Sequence, residues 1–161
     1  MENLGHVEPT ADDRENGASR VEGYKCRDCQ VHTRFPRYNS ALKLMETRTG
    51  RCGEWANAFT QLCVALGHTA RLVLDWTDHV WTEVWIEEYQ RWVHCDSCEP
   101  LFDQPLTYEQ GWGKQLRHKS GGVFSCRELP CVLRRHALRA HSCLFGGVLL
   151  QCAAANSQDK R

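Results

Sequence analysis

From Cys52 to Leu66 the residues Cys52, Trp55, Ala56, Phe59, Leu62, Cys63 and Leu66 recur at i, i+3, i+4 and i+7, and Gly67 follows them. That spacing lines one face of a helix, and the glycine supplies its stop. Three short runs of strand-forming residues come next: Thr69 to Asp75, His79 to Glu87 and Arg91 to Asp96. The separators Trp76-Thr77-Asp78 and Glu88-Tyr89-Gln90 have hairpin length, so the strands should run antiparallel. One buried helix packed on an antiparallel sheet makes an α+β fold.

The flanks are less regular. Residues 1–20 lack periodic hydrophobics, are rich in Glu, Asp, Asn and Gly, and are expected to be disordered. Cys26 and Cys29 form a CxxC pair that reads as a metal knuckle over residues 24–31; an extended segment near Pro36 and a short helix from Ser40 to Glu46 follow. Residues 117–161 show no confident element and are read as a divergent, poorly structured tail, leaving 21–116 as the core. With 20 basic and 20 acidic residues the chain is neutral, which argues against nucleic acid as a partner. The longest apolar stretch, Leu144 to Ala155, is too short for a membrane span of roughly 20 residues. No basic and apolar leader opens the sequence, so a cytoplasmic location is expected, and the ten cysteines are read as reduced thiols serving catalysis or metal rather than as a disulfide framework.

Cys52 falls in the first turn of the predicted helix, where unpaired backbone N–H groups and the positive end of the dipole favour a thiolate. Gly50 and Gly53 beside it leave room for a substrate. A nucleophilic thiol needs a base, and the base needs an orienting group. His79 opens the second strand and Asp96 ends the third, so pairing about a turn near residue 88 sets them side by side, facing the helix start. The order Cys, His, Asp is that of papain-like and transglutaminase-like sites. Cys63, on the same helical stripe, is read as core, and His68 and His94 as surface or packing residues.

Four runs carry a resemblance: Gly50-Arg51-Cys52-Gly53-Glu54-Trp55-Ala56-Asn57-Ala58-Phe59, Asp78-His79-Val80-Trp81-Thr82-Glu83-Val84, Arg91-Trp92-Val93-His94-Cys95-Asp96-Ser97-Cys98-Glu99 and Tyr108-Glu109-Gln110-Gly111-Trp112-Gly113-Lys114. Over 21–116 the chain resembles the cytoplasmic peptide:N-glycanases of the transglutaminase-like superfamily, in a truncated form. The resemblance implies a transglutaminase-like core that hydrolyses the glycan–asparagine amide bond of misfolded N-glycoproteins, with Cys52 as nucleophile, His79 as general base and acid, and Asp96 orienting it. It also implies Glu99 and Trp112 as contacts to the core sugars, Trp81 and Trp92 as cleft lining, and proteasome-shuttle and ubiquitin-pathway proteins as partners. Such proteins hold a structural Zn2+ with two CxxC pairs; only Cys26 and Cys29 answer to them here, which implies an incomplete site. Three other readings stay open: an inactive isoform that binds glycans or partners, a zinc-dependent interaction module built on Cys26, Cys29 and the tail, and true transglutamination.

Overall fold

The computed structural model describes residues 1–115 and 118–124, the latter as backbone alone. The chain divides into two compact units, residues 1–50 and a second unit beginning at Arg51.

In the first unit, β1 (Glu2–His6), β2 (Val21–Lys25) and β3 (His32–Pro36) form an antiparallel sheet in sequence order, with α1 (Ala11–Glu15) between β1 and β2 and α2 (Ala41–Thr47) after β3. Ser40 caps α2 by accepting the Lys43 N–H, which supports the helix expected there. The disorder expected for residues 1–20 is corrected. Thr10 and Asp13 cap α1 reciprocally, the Asp13 N–H donating to Thr10 Oγ1 (3.1 Å) and the Thr10 N–H to Asp13 Oδ2 (2.8 Å). Buried Asp13 also accepts from Arg34 Nη2 (2.7 Å) and Tyr38 Oη (3.0 Å). Burial alone would raise its pKa, but these donors together hold it at about 2. Order here comes from a satisfied carboxylate, which a composition rule for disorder does not weigh.

The second unit contains α3 (Cys52–Ala65) and a sheet of β4 (Ala70–Asp75), β5 (His79–Ile86), β6 (Arg91–Asp96), β7 (Leu101–Phe102) and β8 (His118–Phe124). The spatial order is β7-β6-β5-β4-β8, antiparallel throughout. The expected helix and its three following strands are thus present at the expected places. β8 corrects part of the reading of 117–161 as unstructured, because its backbone pairs along the outer edge of β4; residues 125–161 lie outside the described residues.

Register sorts the sheet residues by face. Val73 pairs with Trp81, Asp75 with His79, and Glu83 with His94. Residues 79, 81 and 83 of β5 therefore share one face with 92, 94 and 96 of β6, while 80, 82, 84 and 86 point to the other. The second face receives α3. Thr82 Oγ1 donates to the Ala56 carbonyl (3.2 Å) and lies 2.8 Å from Thr60 Oγ1, in a buried hydroxyl chain between helix and strand. Phe59, Leu62, Cys63, Val84, Ile86 and Val93 are all nearly inaccessible. Thr82→Val preserves shape but removes the hydroxyl link; we expect a loss of about 1–2 kcal/mol in urea unfolding, and an unchanged midpoint would show the link to be idle.

Candidate active site

Helix α3 begins at Cys52, and the Glu54 carboxylate accepts the Arg51 N–H (2.9 Å), closing the turn that presents the thiol. Backbone N–H groups of Gly53 and Val80 donate to the Cys52 sulfur, so both the helix start and the first residues of β5 face it. His79 follows Asp78, whose φ of 70° ends the three-residue β4–β5 turn in the left-handed region that aspartate tolerates.

The three residues expected to act together do meet. His79 Nε2 lies 2.7 Å from Asp96 Oδ2, both side chains being buried, and His79 also hydrogen-bonds the Cys52 thiol. With Nε2 committed to the carboxylate, Nδ1 is the ring nitrogen left for sulfur. His79 and Asp96 are same-face diagonal neighbours, since Thr82 pairs with Cys95, so the juxtaposition expected from the turn is real but offset by two residues.

The electrostatics favour an ion pair. The hydrogen bond to His79 is the main influence lowering the Cys52 pKa; partial burial opposes it, and the imidazolium charge and the two N–H donors assist. Burial pushes the His79 pKa down, but hydrogen bonds to Asp96 and Cys52 outweigh it and raise the value to about 9. Asp96 is lowered despite burial by the donors around it. The balance therefore favours thiolate, imidazolium and carboxylate in line. Nearby Cys98 is pushed up to about 11 by desolvation and by the charges of Asp96, Glu99 and Cys52. Iodoacetamide at pH 7 should consequently alkylate Cys52 well before Cys98, with the ion pair persisting until His79 deprotonates near pH 9; peptide mass spectrometry showing Cys98 modified first would refute this charge distribution.

Two residues of the site went unrecognised in the sequence. Tyr108 lies in a wide helical turn, Thr107–Gly111, and is fully buried. Its hydroxyl donates to Asp96 Oδ2 (2.5 Å) and lies 2.8 Å from His94 Nε2. His94, read as a surface or satisfied packing residue, is 3% exposed and hydrogen-bonded, as in the second of these, and it joins this chain from its same-face position two residues before Asp96.

The residues expected to touch sugar separate into two groups. Trp112 is 43% exposed, and its ring meets the His79 ring edge-on at 5.3 Å. Glu99 is exposed on the turn after β6, its N–H donating to Asp96 Oδ1 (3.2 Å). Both stand at the triad. Trp81 corrects the expectation of cleft lining: it is 4% exposed, packed with Val73 and Tyr108 beneath His79, and has no free face for a ligand. Trp92 lies four residues from Asp96 along β6, about 13 Å, and is half-buried with the Arg71 guanidinium over its ring at 4.1 Å.

The transglutaminase-like superfamily model matches residues 6–97, which include the thiol, the histidine and the aspartate. The chain belongs to the transglutaminase-like superfamily. Transglutaminase-like relatives named peptide-N(4)-(N-acetyl-beta-glucosaminyl)asparagine amidase include proteins of Gallus gallus (51% identical, 83% of this chain and 22% of the relative), Homo sapiens (57%, 81% and 20%) and Oryza sativa subsp. japonica (60%, 62% and 22%). The chain spans about a fifth of the length of these curated relatives.

In the first unit, Cys26 and Cys29 lie in the β2–β3 turn. The Cys26 N–H donates to the Val31 carbonyl (2.9 Å), and the N–H groups of Cys29 and Asp28 donate to the Cys26 sulfur, lowering its pKa. No group of three or more His, Cys, Asp or Glu able to hold a metal occurs among the described residues. Two thiols do not fit the four-ligand set of a structural zinc.

Proposed function

We propose that this chain hydrolyses the amide bond joining an N-linked glycan to asparagine, acting as a peptide-N(4)-(N-acetyl-beta-glucosaminyl)asparagine amidase. The observation that carries the reading is the continuous hydrogen-bonded line of Cys52, His79 and Asp96, supported by the names of relatives that are 51–60% identical. The Cys52 thiolate attacks the side-chain carbonyl carbon, and the oxyanion finds backbone N–H donors at the helix start. The His79 imidazolium gives its proton to the leaving glycosylamine nitrogen. Neutral His79 then takes a proton from water, whose oxygen attacks the thioester; cleavage returns the thiolate and imidazolium and leaves aspartate where asparagine stood. Exposed Trp112 offers an indole to the apolar face of a sugar, and Glu99 a carboxylate to its hydroxyls.

The substrates on this reading are misfolded N-glycoproteins undergoing clearance in the cytoplasm, with proteasome-shuttle and ubiquitin-pathway proteins as partners. No helix among the described residues is long and apolar enough to cross a membrane. The test is release of glycan from a denatured N-glycopeptide by the purified chain, with conversion of asparagine to aspartate read by mass spectrometry. A folded chain whose Cys52 is readily alkylated but which releases no glycan would overturn the assignment.

Cys26 and Cys29 are proposed to supply two thiolates to Zn2+. With water filling the other positions, the ion should be stripped by dialysis against a mild chelator. Retention of one zinc per chain through that dialysis would contradict a two-thiolate site.

A further inference from the structure

The Asp96 carboxylate takes four donors. Oδ1 accepts the N–H groups of Cys98 (2.8 Å) and Glu99 (3.2 Å), while Oδ2 accepts His79 Nε2–H and Tyr108 Oη–H. Each oxygen is thus held from two directions, which fixes the carboxylate plane as well as its position. A tyrosine hydroxyl carries one proton. If that proton goes to Asp96, the oxygen can only accept on its other side, and the group there is His94 Nε2 at 2.8 Å. His94 must therefore carry its proton on Nε2. Among the described residues, its Nδ1 is buried without a hydrogen-bond partner. In the chosen tautomer that atom is an unpaired acceptor; in the other, it would be an unpaired buried N–H, and a bare Nε2 would compete with Asp96 for the tyrosine proton. The arrangement has one consistent polarity: His94 to Tyr108 to Asp96 to His79.

We propose that Tyr108 and His94 are positioning residues for the Cys52–His79 pair, His94 directing the single tyrosine proton onto Asp96 so that Oδ2 stays on the His79 ring. Neither touches substrate. Burial disfavours a charged His94, and burial with the Asp96 charge favours the protonated Tyr108 hydroxyl, both in the sense this polarity requires. Ring packing adds rigidity: the Tyr108 ring meets those of His79 (4.8 Å), Trp81 (5.1 Å) and Trp112 (5.1 Å). The exposed indole and the buried relay thus share one tyrosine.

This inference rests on the catalytic reading of Cys52 but not on the identity of the substrate, so its test uses the thiol itself. The rate of Cys52 alkylation by iodoacetamide at pH 6, where thiolate depends on the imidazolium, is measured in the parent chain and in Tyr108→Phe, His94→Leu, His94→Gln and the Tyr108→Phe/His94→Leu double variant. Tyr108→Phe should slow it about tenfold, the effect of about one pH unit on thiol titration. His94→Leu should slow it comparably. His94→Gln, whose amide N–H can replace Nε2–H, should remain close to the parent, and the double variant should be no slower than Tyr108→Phe alone, since both lesions act through one hydroxyl. A purely structural role would instead lower thermal stability equally in His94→Gln and His94→Leu and leave the pH profile of alkylation where it was. Multiplying effects in the double variant, or a Tyr108→Phe profile matching the parent, would overturn the proposal. Should the relay variants behave as expected while the parent releases no glycan, the substrate assignment fails and the relay stands.

Discussion

Replacing Cys52 with alanine is expected to lower glycan release by at least about 10⁴-fold, because the reaction has no other nucleophile with its charge. Cys98, a thiol near the site, is held protonated up to about pH 11 and cannot substitute. Cys52→Ser should be almost as inactive, since no donor here is strong enough to ionise a hydroxyl near neutrality. Removing the thiolate also removes one of the two partners that raise the His79 pKa, so the ring should titrate lower in the alanine variant, observable by NMR. Appreciable turnover in Cys52→Ala would end the assignment.

Asp96→Asn should cost about 10³-fold, less than loss of the nucleophile but more than an isosteric change suggests. The reason lies in the four donors. An amide has one acceptor oxygen; directed at the Cys98 and Glu99 N–H groups, it turns its NH2 toward His79 Nε2 and Tyr108 Oη, and flipped, it sets its NH2 against the two backbone donors. Either orientation leaves donors facing donors. His79 would lose its imidazolium character, Cys52 would revert toward an ordinary thiol, and the alkylation rate at pH 6 should fall with kcat. If Asp96→Asn kept a parent-like rate, the carboxylate would not be the group that holds His79 charged.

The linkage sign for His79 follows from the same contacts. Its folded pKa, about 9, lies above the ordinary value of 6.5, so its contribution to stability is full below about pH 6.5 and is lost as pH rises through 9. Mild alkali should therefore loosen the site as it inactivates it.

Much of this arrangement was legible beforehand because it depends on local chemistry. The periodic stripe of α3, the turn-length gaps at 76–78 and 88–90, and the position of Cys52 at a helix start are each encoded within a few residues of where they act. The meeting of His79 and Asp96 followed from hairpin counting, although the true register makes them diagonal rather than opposite. What escaped notice depends on long-range burial. Nothing near Tyr108 marks it as the residue that caps Asp96, twelve positions away, and His94 looks ordinary until the strand alternation that it shares with Asp96 is combined with the tyrosine's position. Trp81 was misplaced for a related reason: a strand tryptophan shows its neighbours along the chain but not the tyrosine packed over it.

The nucleophile and the groups that manage its proton sit in different layers, with α3 against one side of the sheet and His79, Asp96, His94 and Tyr108 on the other. The thiol meets those groups at the mouth of β5, through the Val80 N–H and the His79 ring. Bulk added at Ala56 would tilt the helix and draw the sulfur away from the His79 ring, whereas edits around Tyr108 would reach the same pair from the Asp96 side. A protein engineer therefore has two points of entry to one ion pair, one through the attacking atom and one through the carboxylate behind its partner.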